Sequence, residues 1–243
     1  MIGNEAQWVL ASIVFAANLL WVGLRGRSLL DHYLPDSPLS HLSLMWGTTV
    51  SGAAALYVGS WGADIPVGGW GFAAIGTGAS LEGGTVTALG VSLASLGWMS
   101  ILIDSRVRKL PDQLTGLLAV EVAVLVLVSP WTIGVASQWF LPIVAGAVVW
   151  TLPLAVGHRL GQVGLGDVKL APVLGAALAT CSFRVALLGL AAAFVAAFIR
   201  ALFLTVRGAL SERFSFGPYL MGSALGCWVL ATLGPLSPGS SGL

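Results

Sequence analysis

Long apolar runs separated by short polar breaks constrain this chain more than any other feature. Residues 7–24, 42–61, 85–103, 114–128, 140–157, 170–180, 185–206 and 217–233 are dominated by aliphatic, aromatic and small side chains. A spanning helix needs about 20 such residues to cross roughly 30 Å of hydrocarbon, where backbone polar groups must be satisfied within the chain. Only 9% of the 243 residues are charged, and the mean hydropathy is +0.93; soluble domains usually carry about 25% charged residues. The expectation is an all-α integral membrane protein, a polytopic bundle of about eight transmembrane helices. It reads as a single membrane domain, 1–243: amino-terminal spans and a Gly-rich loop over 1–100, a core over 101–235 and a flexible tail over 236–243.

Charge gives the spans an orientation. Glu5 precedes the first run, and Arg25 and Arg27 follow it, the reverse of the charge order of a secretory signal peptide. A retained first span with its amino terminus outside is the reading. Alternating the spans from there puts Arg25, Arg27, Arg106, Arg108, Lys109, Arg159, Lys169, Arg207 and Arg213 on one side, nine of the 11 basic residues. Such a bias marks the cytoplasmic face. Arg184 falls outside, and Arg200 sits within a span from which its long side chain can snorkel. The stretch 62–84 is Gly-rich, and its weakly apolar centre, 71–79, is too short to cross. We expect an external or re-entrant loop there, and a polar loop over 28–41.

Several function classes are disfavoured. With 11 basic and 10 acidic residues the net charge is +1, and no basic stripe exists to attract nucleic acid. Cys181 and Cys227 lie in separate apolar runs, and His32, His41 and His158 are scattered, so no metal cluster is expected. The cysteines read as buried structural thiols.

Two acids stand out because each adjoins an apolar run, where a carboxylate is costly without a partner or a task. Asp104 closes the third run, and Asp167 opens the sixth from the same side, within Gly164-Leu165-Gly166-Asp167-Val168-Lys169-Leu170. The two can therefore meet at one depth. Paired carboxylates in a shielded site do not readily both ionise. One keeps a proton while the other acts as a base, an arrangement able to activate water against a peptide carbonyl. Gly164 and Gly166 would allow unusual backbone angles and close approach of a substrate strand.

Each residue also has a plain structural role. Asp104 can be a solvated span end, Asp167 a helix cap, and Lys169 either an interfacial snorkel or a partner for a carboxylate or substrate. Pro111 and Asp112 suit the end of one element and the start of the next, and Gly217 and Pro218 a helix start. Glu121 lies within the fourth run and needs a polar partner. Gly222 and Gly226 suit close helix packing, with association between subunits the weaker reading.

Three ordered stretches carry a family resemblance. They are Ile103-Asp104-Ser105-Arg106-Val107-Arg108-Lys109-Leu110-Pro111-Asp112-Gln113-Leu114-Thr115, the Gly164 to Leu170 stretch, and Phe216-Gly217-Pro218-Tyr219-Leu220. The chain from about Ile103 onward resembles the prepilin peptidases, membrane aspartic peptidases that process type IV pilin-like precursors. The resemblance implies catalytic aspartates at Asp104 and Asp167, with Gly164, Gly166, Lys169, Pro111, Asp112, Gly217 and Pro218 supporting the site or binding substrate. It implies removal of a short basic leader, just before the precursor's hydrophobic helix, at the cytoplasmic face of a bacterial inner membrane. No cofactor is expected for the peptidase. S-adenosylmethionine would be needed only for methylation of the new amino terminus, a reaction of larger members. Many of those carry a Cys-rich, zinc-binding segment, whereas the loop 28–41 is short and has no cysteine. The implied partners are pilin-like precursors and the bilayer.

Other classes fit the residues less well. A proton-coupled transporter also uses membrane acids, but the sequence has no convincing internal repeat of the usual kind. An inactive scaffold of a pilus or secretion system would have lost an acid, and both are present. Presenilin-like enzymes share the Gly-x-Gly-Asp stretch but carry Tyr-Asp and Pro-Ala-Leu motifs, whereas this chain has Ile103-Asp104 and no Pro-Ala-Leu.

Overall fold

The computed structural model describes residues 2–34, 40–62, 83–107, 110–133, 136–207 and 215–233. Among them all regular structure is helical: α1 (Ile2–Tyr33), α2 (His41–Gly62), α3 (Gly83–Val107), α4 (Asp112–Ile133), α5 (Ala136–Arg159), α6 (Leu165–Cys181), α7 (Phe183–Val206) and α8 (Gly217–Leu233). Number and order agree with the eight apolar runs. Four spans, Trp8–Tyr33, Thr85–Val107, Phe140–Arg159 and Phe183–Val206, are long and apolar enough to cross a membrane. The protein is a helical membrane bundle. The Gly-rich loop expected over 62–84 falls almost wholly on 63–82, and the expected tail on 236–243; both lie outside the described residues.

Helix α3 is the centre of the bundle. Its most apolar window is 83% buried, against 22% for each of the other three spans, and it packs against α1, α2, α4, α6 and α8. Small and hydroxyl side chains make this enclosure possible: Thr85, Thr87, Ala88, Ser92, Ala94, Ser95 and Ser100 are all buried along it. Ser92, Ser95 and Ser100 return their hydroxyls to the carbonyls of Ala88, Val91 and Leu96, so these three donors are not stranded in the apolar interior.

Indole rings and glycines tie the other helices to one another. Trp228 on α8 lies where a Cβ on Gly90 would stand, and its Nε1 donates to the Val86 carbonyl at 2.9 Å. Trp150 on α5 donates to the Ala186 carbonyl on α7 at 2.8 Å. The α5 and α6 backbones touch at Gly146 and Gly175; a Cβ on Gly146 would come within 2.6 Å of the Gly175 carbonyl oxygen. The turn between these two helices needs Gly161, whose φ of +73° is strained for other residues.

Several boundaries differ from the sequence expectation. The polar loop placed over 28–41 is helical through Tyr33, because residues 28–33 contain no breaker and Leu29 and Leu30 are buried. Asp104 does not end a helix, since α3 continues to Val107. The sixth helix starts at Leu165, not at 170, which brings Asp167 into its first turn. Gly222 and Gly226 do not mediate packing within the described bundle: both are exposed on α8, and a Cβ at either would meet nothing within 4 Å. The inward face of α8 is instead Leu220, Met221, Ala224 and Trp228. Glu121 does have a partner. Asn18, fully buried on α1, donates to Glu121 Oε2 at 3.4 Å and to Ser95 Oγ at 2.9 Å.

Candidate active site

Three helices converge on one point. The penultimate turn of α3 brings Asp104, the first turn of α6 brings Asp167, and α8 starts at Gly217. Both carboxylates are buried, at 3% and 8% exposure, although they come from apolar helices. Gly217 is the point at which they meet. A Cβ built on it would collide with Asp104 Oδ2 and lie 3.2 Å from Asp167 Oδ1, so only a residue without a Cβ lets both carboxylates come this close to the start of α8.

Residues flanking each acid hold it in place. Ser215 donates from its hydroxyl to Asp104 Oδ2. Gly164 is the N-cap of α6, and Asp167 Oδ2 lies 3.5 Å from where its Cβ would stand. Asp167 is thus the third helical residue and not the cap. Gly164 has ordinary extended backbone angles, φ −69° and ψ 148°, and Gly166 is helical, so neither provides the unusual conformation expected of it. The close approach at Gly166 is real but has another partner: a Cβ there would lie 3.0 Å from that of Leu110, which sits just after α3. The glycine lets the two acid-bearing segments pack.

Pro111 and Asp112 start α4. The buried Pro111 offers its carbonyl to the N–H groups of Leu114 at 3.1 Å and Thr115 at 3.2 Å. Asp112 stands in the first turn, where a negative charge suits the helix dipole. It also accepts a hydrogen bond from Lys169 Nζ at 2.8 Å, so the lysine's charge goes to Asp112 and not to the buried acids. Pro218 lies in the first turn of α8, where a missing N–H costs nothing. Sequence reasoning missed Ser215, which precedes the Phe216-Gly217-Pro218 stretch and carries no signal until α8 docks beside α3. It also missed Asn18 as the partner of Glu121. Among the described residues no three His, Cys, Asp or Glu side chains are grouped so as to hold a metal ion.

Residues 91–206 match the type IV leader peptidase family. The matched stretch contains Asp104, Pro111, Asp112, Gly164, Gly166, Asp167 and Lys169 in the arrangement just described. Over these residues, somewhat less than half of the chain, the protein is similar to that family. The match supports a peptidase, and the long apolar helices support a membrane protein. No curated protein and no solved structure matches it. Gly217, Pro218 and Ser215 fall beyond the matched residues, so what α8 adds beside the two acids comes from the fold alone.

The Lys169–Asp112 pair is exposed, at 47% and 72% for the two side chains. Solvent and salt screen such pairs, so their worth is about 0.2–1 kcal/mol. A double-mutant cycle with Lys169→Ala and Asp112→Ala, read by thermal unfolding in detergent, should therefore show coupling below about 1 kcal/mol. A larger coupling would make the pair part of the site's framework.

Proposed function

We propose that this protein is an aspartic endopeptidase that removes the short basic leader of type IV pilin-like precursors at the cytoplasmic face of a bacterial inner membrane. The observation that carries this reading is the burial of Asp104 and Asp167 against one point, Gly217. Two negative charges so close in a shielded site oppose each other, which favours one shared proton. One carboxylate then takes a proton from water, whose oxygen bonds to the scissile carbonyl carbon. The other gives its proton to the carbonyl oxygen. Collapse of the tetrahedral diol, with proton transfer to the nitrogen, breaks the C–N bond and releases a carboxylic acid and a new amine. Lipid position supports the choice of substrate: the acids lie at the end of α3 that bears Arg106, where a leader in water and an apolar helix in lipid could both be accommodated.

Peptide cleavage by this route uses no cofactor. Methylation would require S-adenosylmethionine, and the short segment after α1 supports a peptidase without it. The purified full chain, mixed with a pilin-like precursor in liposomes, should yield a mature product whose mass equals the precursor minus its leader, with no added methyl group. An intact precursor would overturn the substrate assignment. A product heavier by one methyl group would overturn the assignment of a peptidase alone.

A further inference from the structure

Ser215 reaches Asp104 although neither the family match nor the three sequence stretches include it. Its place is fixed by its neighbour. Phe216, the next residue, lends its carbonyl to the first N–H groups of α8, from Tyr219 at 3.1 Å and Leu220 at 3.2 Å. The Phe216 ring packs against Phe194 of α7, with centroids 5.5 Å apart. A serine held this firmly can hold its own partner.

The oxygen that Ser215 reaches is informative. Asp104 Oδ2 is the oxygen beside Gly217, the same glycine that Asp167 Oδ1 approaches. A hydrogen bond donated to a carboxylate favours its charged form, so of two acids that share one proton the one that Ser215 reaches is left ionised. The shared proton therefore belongs on Asp167. Resting on the proposed peptidase reading, we infer that Ser215 is a positioning residue: by pinning Asp104 Oδ2 it makes Asp104 the water-activating base, acting through Oδ1, and Asp167 the acid. In the step, a water O–H bond breaks and its proton goes to Asp104 Oδ1 while the water oxygen bonds to the carbonyl carbon. The displaced π pair on the carbonyl oxygen takes the proton from Asp167.

Three substitutions test this in the full chain reconstituted in liposomes with a pilin-like precursor. Ser215→Ala and Ser215→Val remove the hydroxyl, and Ser215→Thr keeps it. Alanine and valine should lower kcat by about 10- to 100-fold, the scale on which a lost orienting contact acts, with KM unchanged. Threonine should restore most of kcat. Three results would overturn the inference: wild-type kcat in the alanine and valine variants, a rise in KM with kcat intact, or a threonine variant no better than valine. A drop in folded protein that fully accounts for lost activity, with kcat per folded enzyme unchanged, also counts against it. Failure of the wild-type chain to cleave would instead refute the proposed function itself.

Discussion

Asp104→Asn and Asp167→Asn should each abolish leader removal while the protein still inserts and folds. Amide replaces carboxylate with almost no change in shape, and an asparagine in place of Asp104 could still accept the Ser215 hydrogen bond through its oxygen. Folding therefore should not suffer, and removing one of two mutually opposing acids can only ease their burial. Chemistry should fail because neither variant retains both a base and an acid. We expect a loss of about three orders of magnitude or more in kcat, as when one member of a catalytic unit is deleted. Precursor processing followed by mass spectrometry, beside thermal unfolding of the same preparations, checks both halves. Retained cleavage in either variant would sink the pairing.

Gly217→Ala should cost nearly as much without touching an acid. The added methyl group would press into the carboxylates, striking Asp104 Oδ2 and standing 3.2 Å from Asp104 Cγ and from Asp167 Oδ1. One or both side chains must rotate away. A misplacement of about 1 Å in reacting groups costs roughly 100-fold in rate, and overpacking of this kind costs about 1–3 kcal/mol of stability. Gly226→Ala is the matched control: exposed on the same helix and facing open space, it should leave activity unchanged and stabilise α8 by up to about 1 kcal/mol. If Gly217→Ala keeps full activity, the reaction does not occur beside Gly217.

The bundle was legible because hydrocarbon leaves the backbone one way to satisfy itself, so eight apolar runs became eight helices. Boundaries near polar residues were less legible. A local drop in hydropathy at 28–33 concealed a helix that persists because Leu29 and Leu30 find buried places. Asp104 marks the end of an apolar run but not of α3, since hydropathy and helix geometry stop for different reasons. The pairing of Asp104 with Asp167 was readable from span polarity, and the two do approach one point. What surrounds them was not. Ser215 and Asn18 act across 111 and 103 residues of sequence, and a long-range side-chain contact leaves no periodicity to read. The glycines were read in part: of the two roles expected of Gly166 only the close approach holds, and Gly217, expected at a helix start beside the site, matters there for the Cβ it lacks.

The central position of α3 has a consequence for the order in which the chain is built. Asp104 is made in the third helix, Asp167 in the sixth, and Ser215 and Gly217 only at the start of the last. A nascent chain halted before α8 would possess both acids but not the surface that spaces and holds them. The surface beside the two acids is therefore complete only once α8 docks against α3.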